Sequence, residues 1–278
     1  MADAAILLDK KPISPTTSNR RPEEQPTDKQ SNSLPPSQSS DDSIKLPSKD
    51  SLPDSYPDHL PSDCICIFAD LETDSVQANI LLQIAAVAQN GEQFNIYINP
   101  QQPLSQSCTN FLGFYYFKGD LYRNGLKLNS VSVSRALHLF MSWISKFGHP
   151  VALVFHNGFA FDCPVLARFL VRLNVPIPEN FITVGDTLPY IRIHFKPPIV
   201  EDHKLGTLSK FFETTHEHAH DALSDSLTLK QICSKIADQF DIDYRSIIKD
   251  SSRKFSEYIN RQKHGTPIQK LKKKKEQK

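Results

Sequence analysis

The 278-residue sequence lacks an apolar run of the roughly 20 residues that a membrane-spanning helix needs. The apolar segment near its start, within residues 1–9, is too short for a secretory signal and is closed by an acid. The chain has five cysteines, an odd number, and no C-x-x-C pair, so neither a disulfide framework nor a zinc ribbon is predicted. We therefore expect an intracellular protein of a reducing compartment, the nucleus or the cytoplasm, without a membrane segment.

Residues 1–61 also lack glycine and have few large apolar side chains, while they hold 10 of the 20 prolines and 11 serines. Such a segment cannot bury enough apolar surface to offset the conformational entropy that is lost on ordering. The composition therefore predicts a disordered Pro/Ser-rich arm over residues 1–61.

The formal net charge of +1 is unevenly distributed along the chain. Residues 1–61 carry 7 Lys/Arg against 10 Asp/Glu, and residues 62–243 carry 13 against 18. Residues 244–278 carry 12 against 3, and they end in a lysine cluster at 270–278. A lysine run attracts phosphate groups without reading sequence, but it is also typical of nuclear import signals and of solubilising ends. We predict a basic, helical or flexible tail over residues 244–278 and leave these three roles open.

Between the two ends, apolar runs of strand length and helical patterns follow one another. Strands are predicted at 64–70, 80–88 and 93–98, as an antiparallel meander with a hairpin at Asn90 and Gly91. A long polar connection at 99–130 follows. The remaining elements are expected, in chain order, as a helix at 132–147, a strand at 151–155, a helix at 161–173, a strand at 181–185, and helices at 205–212 and 222–240. This order indicates one α/β domain, which we place at residues 62–243.

The first predicted strand ends in two acids, Asp70 and Glu72, separated by Leu71. Side chains two residues apart on a strand project from the same face. Two like charges so close together destabilise the fold unless a cation joins them, and oxygen ligands suit Mg²⁺ or Mn²⁺. Solvated acid pairs of this kind are common, so the pair by itself is only a weak metal-binding signal.

Two further acids lie where they can join this pair. Asp162 begins the helix that follows the strand at 151–155, although a plain helix N-cap would explain it equally well. Asp225 lies one turn into the last long helix, and His220 is in the loop before it. If the strands at 64–70 and 151–155 are neighbours, Asp70, Glu72 and Asp162 converge beyond the carboxyl ends of those strands. Asp225 adds a fourth carboxylate if it faces inward with the apolar side of its helix. A histidine beside them could act as a general base.

The combination Asp70-x-Glu72, Asp162 and His220-x4-Asp225, in this order and spacing, resembles the DEDDh (DnaQ-like) family of 3′→5′ exonucleases over residues 64–240. Within that family, the segments at 162–166 and 186–189 are most similar to the exonuclease-like domains of promyelocytic leukaemia-type proteins. The three-prime repair exonucleases are less similar. The resemblance implies an RNase H-like mixed β-sheet flanked by helices.

The resemblance also implies a chemistry. Two Mg²⁺ or Mn²⁺ ions would be bound, His220 would take a proton from the attacking water, and nucleoside 5′-monophosphates would leave one at a time from DNA or RNA with a free 3′ end. The expected metal ligands are Asp70, Glu72, Asp162 and Asp225. The expected substrate contacts are Leu71, Thr73, Asn157 and Phe159.

One departure from the family pattern supports an alternative. Thr73, Asp74 and Ser75 stand where the family usually has Thr-Thr-Gly, so backbone freedom is lost and Asp74 adds negative charge where a phosphate would approach. The alternative is a catalytically weak or inactive nuclease-like module that binds nucleic acid or protein.

A second alternative comes from residues 216–220, which also match the H-E-x-x-H pattern of zinc metalloproteases. In those enzymes the two histidines lie one turn apart on a helix. Here Thr214 and Thr215 indicate a loop, a third ligand is missing from the following residues, and Asp70 and Asp162 would remain unexplained. The exonuclease interpretation is therefore favoured.

Overall fold

The computed structural model describes residues 56–74, 80–216 and 219–264. Most of the arm predicted at residues 1–61 and the lysine cluster at 270–278 lie outside the described residues. Among the described residues, no helix combines the length and the apolar content needed to cross a membrane. All five cysteines are buried and free.

The main sheet has seven strands in the order β10-β9-β8-β1-β2-β3-β7. These strands are β1 (Ile65–Thr73), β2 (Leu81–Ala88), β3 (Gln93–Ile98), β7 (Ser130–Val131), β8 (Val151–Phe155), β9 (Phe181–Asp186) and β10 (Ser252–Lys254). The first three form the predicted antiparallel meander, and β1 pairs in parallel with β8 on its other side. The sheet is therefore mixed, and its two central strands, β1 and β8, both end at the same edge.

Helices cover both faces of this sheet. They are α1 (Gln106–Leu112), α2 (Val133–Ser145), α3 (Asp162–Arg172), α4 (Leu188–His194), α5 (Leu205–Phe211), α6 (Ala222–Phe240), α7 (Tyr244–Ile248) and α8 (Phe255–His264). One apolar core lies between the sheet and α2, α3 and α8, and another lies between the opposite face and α4 to α7. This confirms the predicted α/β class, an RNase H-like mixed sheet flanked by helices.

The segment at 99–130, predicted as an irregular connection, contains α1 and a separate three-stranded sheet. That sheet consists of β4 (Phe114–Phe117), β5 (Asp120–Arg123) and β6 (Leu126–Lys127). Its strands are too short to show a period in the sequence, and the β4–β5 turn uses Lys118 and Gly119, both at positive φ. The inner face of the sheet packs Phe114 and Leu121 against Leu82 and Cys108 in a small third core.

Packed elements continue past residue 243, where the sequence placed the end of the domain. Helix α7 and a 3₁₀ turn lead into β10, which pairs antiparallel with β9, and α8 follows. Phe255 of α8 stacks on Phe181 with ring centroids 4.4 Å apart. At the other end, Leu60 is fully buried in the core of the α6 face. Part of each predicted tail is therefore integral to the fold.

Candidate active site

The strand β1 carries two acids on one face because successive side chains of a strand point to opposite faces of the sheet. Ile67, Ala69 and Leu71 pack into the core beneath α2 and α3, whereas Phe68 packs on the opposite face, which α6 covers. Asp70 and Glu72 continue that second face beyond Phe68. Glu72 is only 7% exposed. The strand thus directs both carboxylates towards the first turn of α6.

Asp162 is the first residue of α3, and the loop before it fixes its place. A Cβ on Gly158 would lie 2.2 Å from the Phe155 side chain, so only glycine allows the chain to turn this closely. The Gly158 carbonyl accepts hydrogen bonds from the backbone N–H groups of Phe161 and Cys163. The N-cap position of α3 belongs to Phe161 and has no side-chain cap. Asp162 is therefore not the capping residue that a purely structural interpretation would require.

The third element is the start of α6. Asp221 is the N-cap of this helix, and its side chain accepts a hydrogen bond from the backbone N–H of Ser224 at 3.2 Å. Asp225 follows in the first turn, where it accepts bonds from His216 Nε2 at 2.7 Å and from the His220 backbone N–H at 3.1 Å. The side chains of His216 and Asp225 are nearly buried, whereas His220 is exposed.

These elements bring the predicted acids together. Asp70, Glu72 and Asp225 each offer a carboxylate oxygen, and these oxygens lie within 4.8 Å of one another. Asp162 stands beside the three, since its charge, after burial, contributes to the raised pKa of Asp70. Burial and the charge of Asp225 raise the pKa of Glu72 to about 9. Burial raises the pKa of Asp162 to about 8.

The same cluster fits a divalent cation. Asp162 is 5% exposed, and its Oδ1 atom has no hydrogen-bond partner in the part of the chain that the structure describes. A buried carboxylate oxygen without a donor is costly unless a cation or water meets it. A site of carboxylate oxygens alone matches the preference of Mg²⁺ and Mn²⁺. The residues therefore suit such an ion, with Asp70, Glu72 and Asp225 at its centre and Asp162 beside them.

A cleft of about 770 Å³ opens beside the acids. Its lining includes Glu72, His220, Phe161 and the ring of Phe111, which is 81% exposed. A second cleft of about 640 Å³ also borders His220, and its lining includes Asp225, Lys204 and Lys210. We call the first the aromatic cleft and the second the basic cleft; each is lined by at least one of the acids.

The residues predicted to contact substrate fall into two groups. Leu71 and Thr73 line the aromatic cleft, beside the acids. Asn157 and Phe159 lie in the loop before α3, where their backbone N–H groups donate to the two carboxylate oxygens of Asp186. The ring of Phe159 packs under the Arg253 guanidinium at 4.2 Å. Among the aromatic residues of this loop, it is Phe161 that faces the cleft, and a substrate contact for Asn157 and Phe159 remains a prediction.

Three residues of the site were not predicted from the sequence: Arg123, His216 and Asp221. Asp221 directly follows the catalytic candidate His220, and its position before a helix is a recognisable N-cap signal. His216 was noticed only as part of the H-E-x-x-H pattern. The described residues of that pattern lie in a loop and a turn rather than on a helix, and His216 donates to Asp225. The metalloprotease alternative therefore loses its structural basis.

Asp74, which departs from the usual family pattern, has a structural role. Its carboxylate accepts hydrogen bonds from the backbone N–H of Ser105 at 3.0 Å and from the Ser105 hydroxyl at 2.5 Å. Ser105 is in turn the N-cap of α1, where its Oγ accepts from the backbone N–H of Cys108. The negative charge of Asp74 is thus used to anchor α1, which forms one wall of the aromatic cleft.

Replacing Asp74 with alanine should lower the free energy of unfolding by about 1 kcal/mol, the usual effect of weakening a helix cap. Mg²⁺ affinity should stay within twofold, because Asp74 serves α1 rather than the metal cluster. Urea unfolding and calorimetric titration measure the two quantities. Asp120→Ala removes only an exposed ion pair with Lys127 and is the matched control. A large loss of Mg²⁺ affinity in Asp74→Ala would contradict the assignment.

Comparison with known proteins gives three kinds of result. No family model matches the chain. Over 163 residues it is 33% identical to the DNA polymerase III PolC-type of Streptococcus mutans, which covers 56% of this chain and 10% of the polymerase. Over 95 residues it is 36% identical to the exonuclease DPD1, chloroplastic/mitochondrial, of Arabidopsis thaliana, which covers 33% of this chain and 30% of that protein. The chain thus spans less than a third of the length of either relative.

Solved structures share the fold. Exonuclease I of Methylocaldum szegediense superposes with a TM-score of 0.52 at 15% identity, covering 66% of this chain and 42% of that one. The zinc-bound complex of Escherichia coli exonuclease I with single-stranded DNA gives a TM-score of 0.50 at 16% identity, covering 64% and 42%. The two sequence relatives are a PolC-type polymerase and an exonuclease, the solved structures share the fold, and the acidic cluster is suited to a metal ion.

Proposed function

We propose that this chain is a metal-dependent 3′→5′ exonuclease that removes nucleoside 5′-monophosphates from DNA or RNA with a free 3′ end. The observation that carries the proposal is the group of three carboxylates with oxygens within 4.8 Å, together with the orphaned Asp162 oxygen beside them. Such a site is unfavourable without a cation, and we propose that it binds two. Its place beside an aromatic cleft, at the end of the central strands, is where a nucleotide can reach it.

The carboxylates of Asp70, Glu72, Asp162 and Asp225 would hold the ions, and His220 would move one proton. Bound Mg²⁺ or Mn²⁺ supplies electrostatic stabilisation of the negative charge that grows on the phosphoryl oxygens. An imidazole nitrogen of His220 accepts the proton of the attacking water as the new P–O bond forms. The bond from phosphorus to the 3′ oxygen breaks, that oxygen is protonated from solvent, and the terminal nucleotide leaves with its 5′-phosphate.

The two clefts offer a nucleic acid two different kinds of contact. The rings of Phe111 and Phe161 offer stacking surfaces for an unpaired base, a contact that tolerates any sequence. Lys204 and Lys210 of the basic cleft offer cationic partners to the phosphate backbone. The Escherichia coli enzyme of the same fold has been captured with single-stranded DNA, which supports a single-stranded 3′ end here. We also propose that, within the DnaQ-like family, the chain is most similar to the exonuclease-like domains of promyelocytic leukaemia-type proteins.

The direct test is a gel assay with oligonucleotides of DNA and of RNA, labelled at the 5′ or the 3′ end, in Mg²⁺, Mn²⁺ or EDTA. We expect a ladder from the 5′-labelled strand, immediate release of a labelled mononucleotide from the 3′-labelled strand, and no cleavage in EDTA. Asp225→Ala should reduce the rate roughly 1000-fold, since metal stabilisation is worth several kcal/mol at about 1.4 kcal/mol per factor of ten.

Asp238→Ala is the control for that variant, because Asp238 is an exposed acid further along the same helix α6. It should cleave at the wild-type rate. Fragments from internal cuts, or cleavage that persists in EDTA, would contradict the proposal. Metal binding without cleavage of any strand would instead favour the nuclease-like binding module, whose support is the Thr73, Asp74 and Ser75 departure from the family pattern.

A further inference from the structure

Arg123 links the small sheet to the loop that carries His220. Its Nη2 donates to the His220 carbonyl at 2.8 Å, its Nη1 forms an ion pair with Asp221, and its Nε donates to the Leu112 carbonyl at 3.2 Å. The guanidinium also lies over the Phe114 ring, 4.9 Å from its centroid. The side chain is 15% exposed. Each of these three nitrogens therefore has a protein acceptor, and Arg123 is not presented to a substrate phosphate.

The partner of this ion pair is itself firmly placed. Asp221 caps α6, and it also accepts hydrogen bonds from Gln83 Nε2 at 3.3 Å and Tyr97 Oη at 3.1 Å. Burial works against its charge, but the Ser224 hydrogen bond and the positive charge of Arg123 hold the pKa of Asp221 below its ordinary value. The carboxylate is therefore ionised at neutral pH, and the arginine is tied to a point that the main sheet fixes.

The backbone conformation of His220 is unusual, and the hydrogen bond from Arg123 helps to hold it. Its φ is +65°, in the left-handed region that residues other than glycine seldom adopt. The peptide groups on its two sides are each held: the N–H donates to Asp225 Oδ2, and the carbonyl accepts from Arg123. These two bonds set the direction in which the imidazole leaves the main chain. Without Arg123, one of them is lost and the strained conformation has less to maintain it.

We propose that Arg123 is the positioning residue for His220. The inference rests on the proposed function, in which His220 accepts the proton of the attacking water. Leu112, whose carbonyl Arg123 also binds, lines the aromatic cleft. One side chain thus connects the wall that would receive the terminal nucleotide with the group that would act on it.

Two substitutions of Arg123 distinguish positioning of His220 from a purely structural role. Arg123→Met keeps an apolar stem against Phe114 but removes the charge and the donors, and Arg123→Lys restores the charge and one donor group. Arg123→Met should lower kcat roughly tenfold, because small displacements of a catalytic group cost up to about 100-fold. This is less than the roughly 100-fold or greater loss expected for His220→Gln. KM and Mg²⁺ affinity should stay within about threefold, given that small structural effects scatter by factors of 2–3.

Arg123→Lys should recover part of the lost kcat. Lys127→Met alters the same small sheet, at an exposed ion pair with Asp120, and should match the wild type. If Arg123→Met does not fold, Arg123→Lys is compared with Lys127→Met by the same measurements. Unchanged kcat in Arg123→Met would overturn the proposal, as would a fall in kcat that merely follows lost Mg²⁺ affinity.

A spectroscopic measurement tests the inference independently of turnover. The carbon–proton resonances of the histidine rings can be recorded by NMR, and the His220 signal is identified by its loss in His220→Gln. That signal should shift in Arg123→Met, while the buried His156 signal and the Lys127→Met spectrum stay unchanged. An unmoved His220 signal would overturn the positioning role. A shifted signal in a protein that cleaves nothing would leave the arginine's role supported while the proposed exonuclease fails.

Discussion

Replacing Asp70 with asparagine should abolish metal-dependent cleavage and, at the same time, make the metal-free protein more stable. Burial, together with the charges of Asp162, Glu72, Asp225 and Asp221, holds the pKa of Asp70 well above its ordinary value. Asparagine has the same shape without the charge, so the repulsion falls when no cation is present. It is also a poorer ligand for Mg²⁺, so the variant gains stability but loses metal-dependent cleavage.

The expected changes in cleavage rate and in the free energy of unfolding have opposite signs, and both can be measured on one preparation. Cleavage should fall by at least roughly 1000-fold, on the basis of several kcal/mol of lost metal stabilisation. The free energy of unfolding in EDTA should rise by about 1 kcal/mol, and the further stabilisation that wild type gains from Mg²⁺ should disappear. Glu179→Gln, which neutralises an exposed acid just before β9, should change neither quantity. A metal-free Asp70→Asn protein that is less stable than wild type would show that the carboxylates do not repel one another.

The parts of the fold that were predicted are those with a local signal. The strand β8 was expected at 151–155 and is found at Val151–Phe155, because five consecutive buried apolar residues mark a strand between two layers of helices. The end of β1 was expected to carry two acids on one face, and the alternation of Phe68, Asp70 and Glu72 provides this. Asp162 was expected beside Asp70 and Glu72 on the condition that the first and fourth main strands are neighbours, and β1 does pair in parallel with β8.

The parts that were missed depend on partners that are distant in the chain. Strand β10 has three residues and exists only because β9 lies beside it, so the sequence around Arg253 shows no period. The pair of Arg123 and Asp221 joins positions 98 residues apart. The contact of Asp74 with Ser105 was missed for the same reason, since the two residues are 31 positions apart. Contacts of this kind leave no spacing that a single sequence displays.

The metal-free protein should also lose stability as the pH rises from about 5 to about 9. The pKa of Glu72 is raised to about 9 by burial and the charge of Asp225, and the pKa of Asp162 is raised to about 8 by burial. In the unfolded chain both groups titrate near pH 4. Between these limits the native state binds more protons than the unfolded state, so the free energy of unfolding falls with increasing pH. The loss begins above the unfolded pKa and is complete above the folded one.

Mg²⁺ should reverse this trend, because a cation binds the ionised carboxylates and its stabilising effect grows as protons leave. Urea unfolding at several pH values, in EDTA and in Mg²⁺, measures both slopes. Buried His156, whose pKa is lowered chiefly by burial, contributes a change of the opposite sign. The decisive quantity is therefore the difference between wild type and Glu72→Gln, which should have a shallower slope in EDTA and little response to Mg²⁺. Equal slopes for the two proteins would mean that Glu72 is ionised without a cation, and the case for an acidic metal site at the end of β1 would fail.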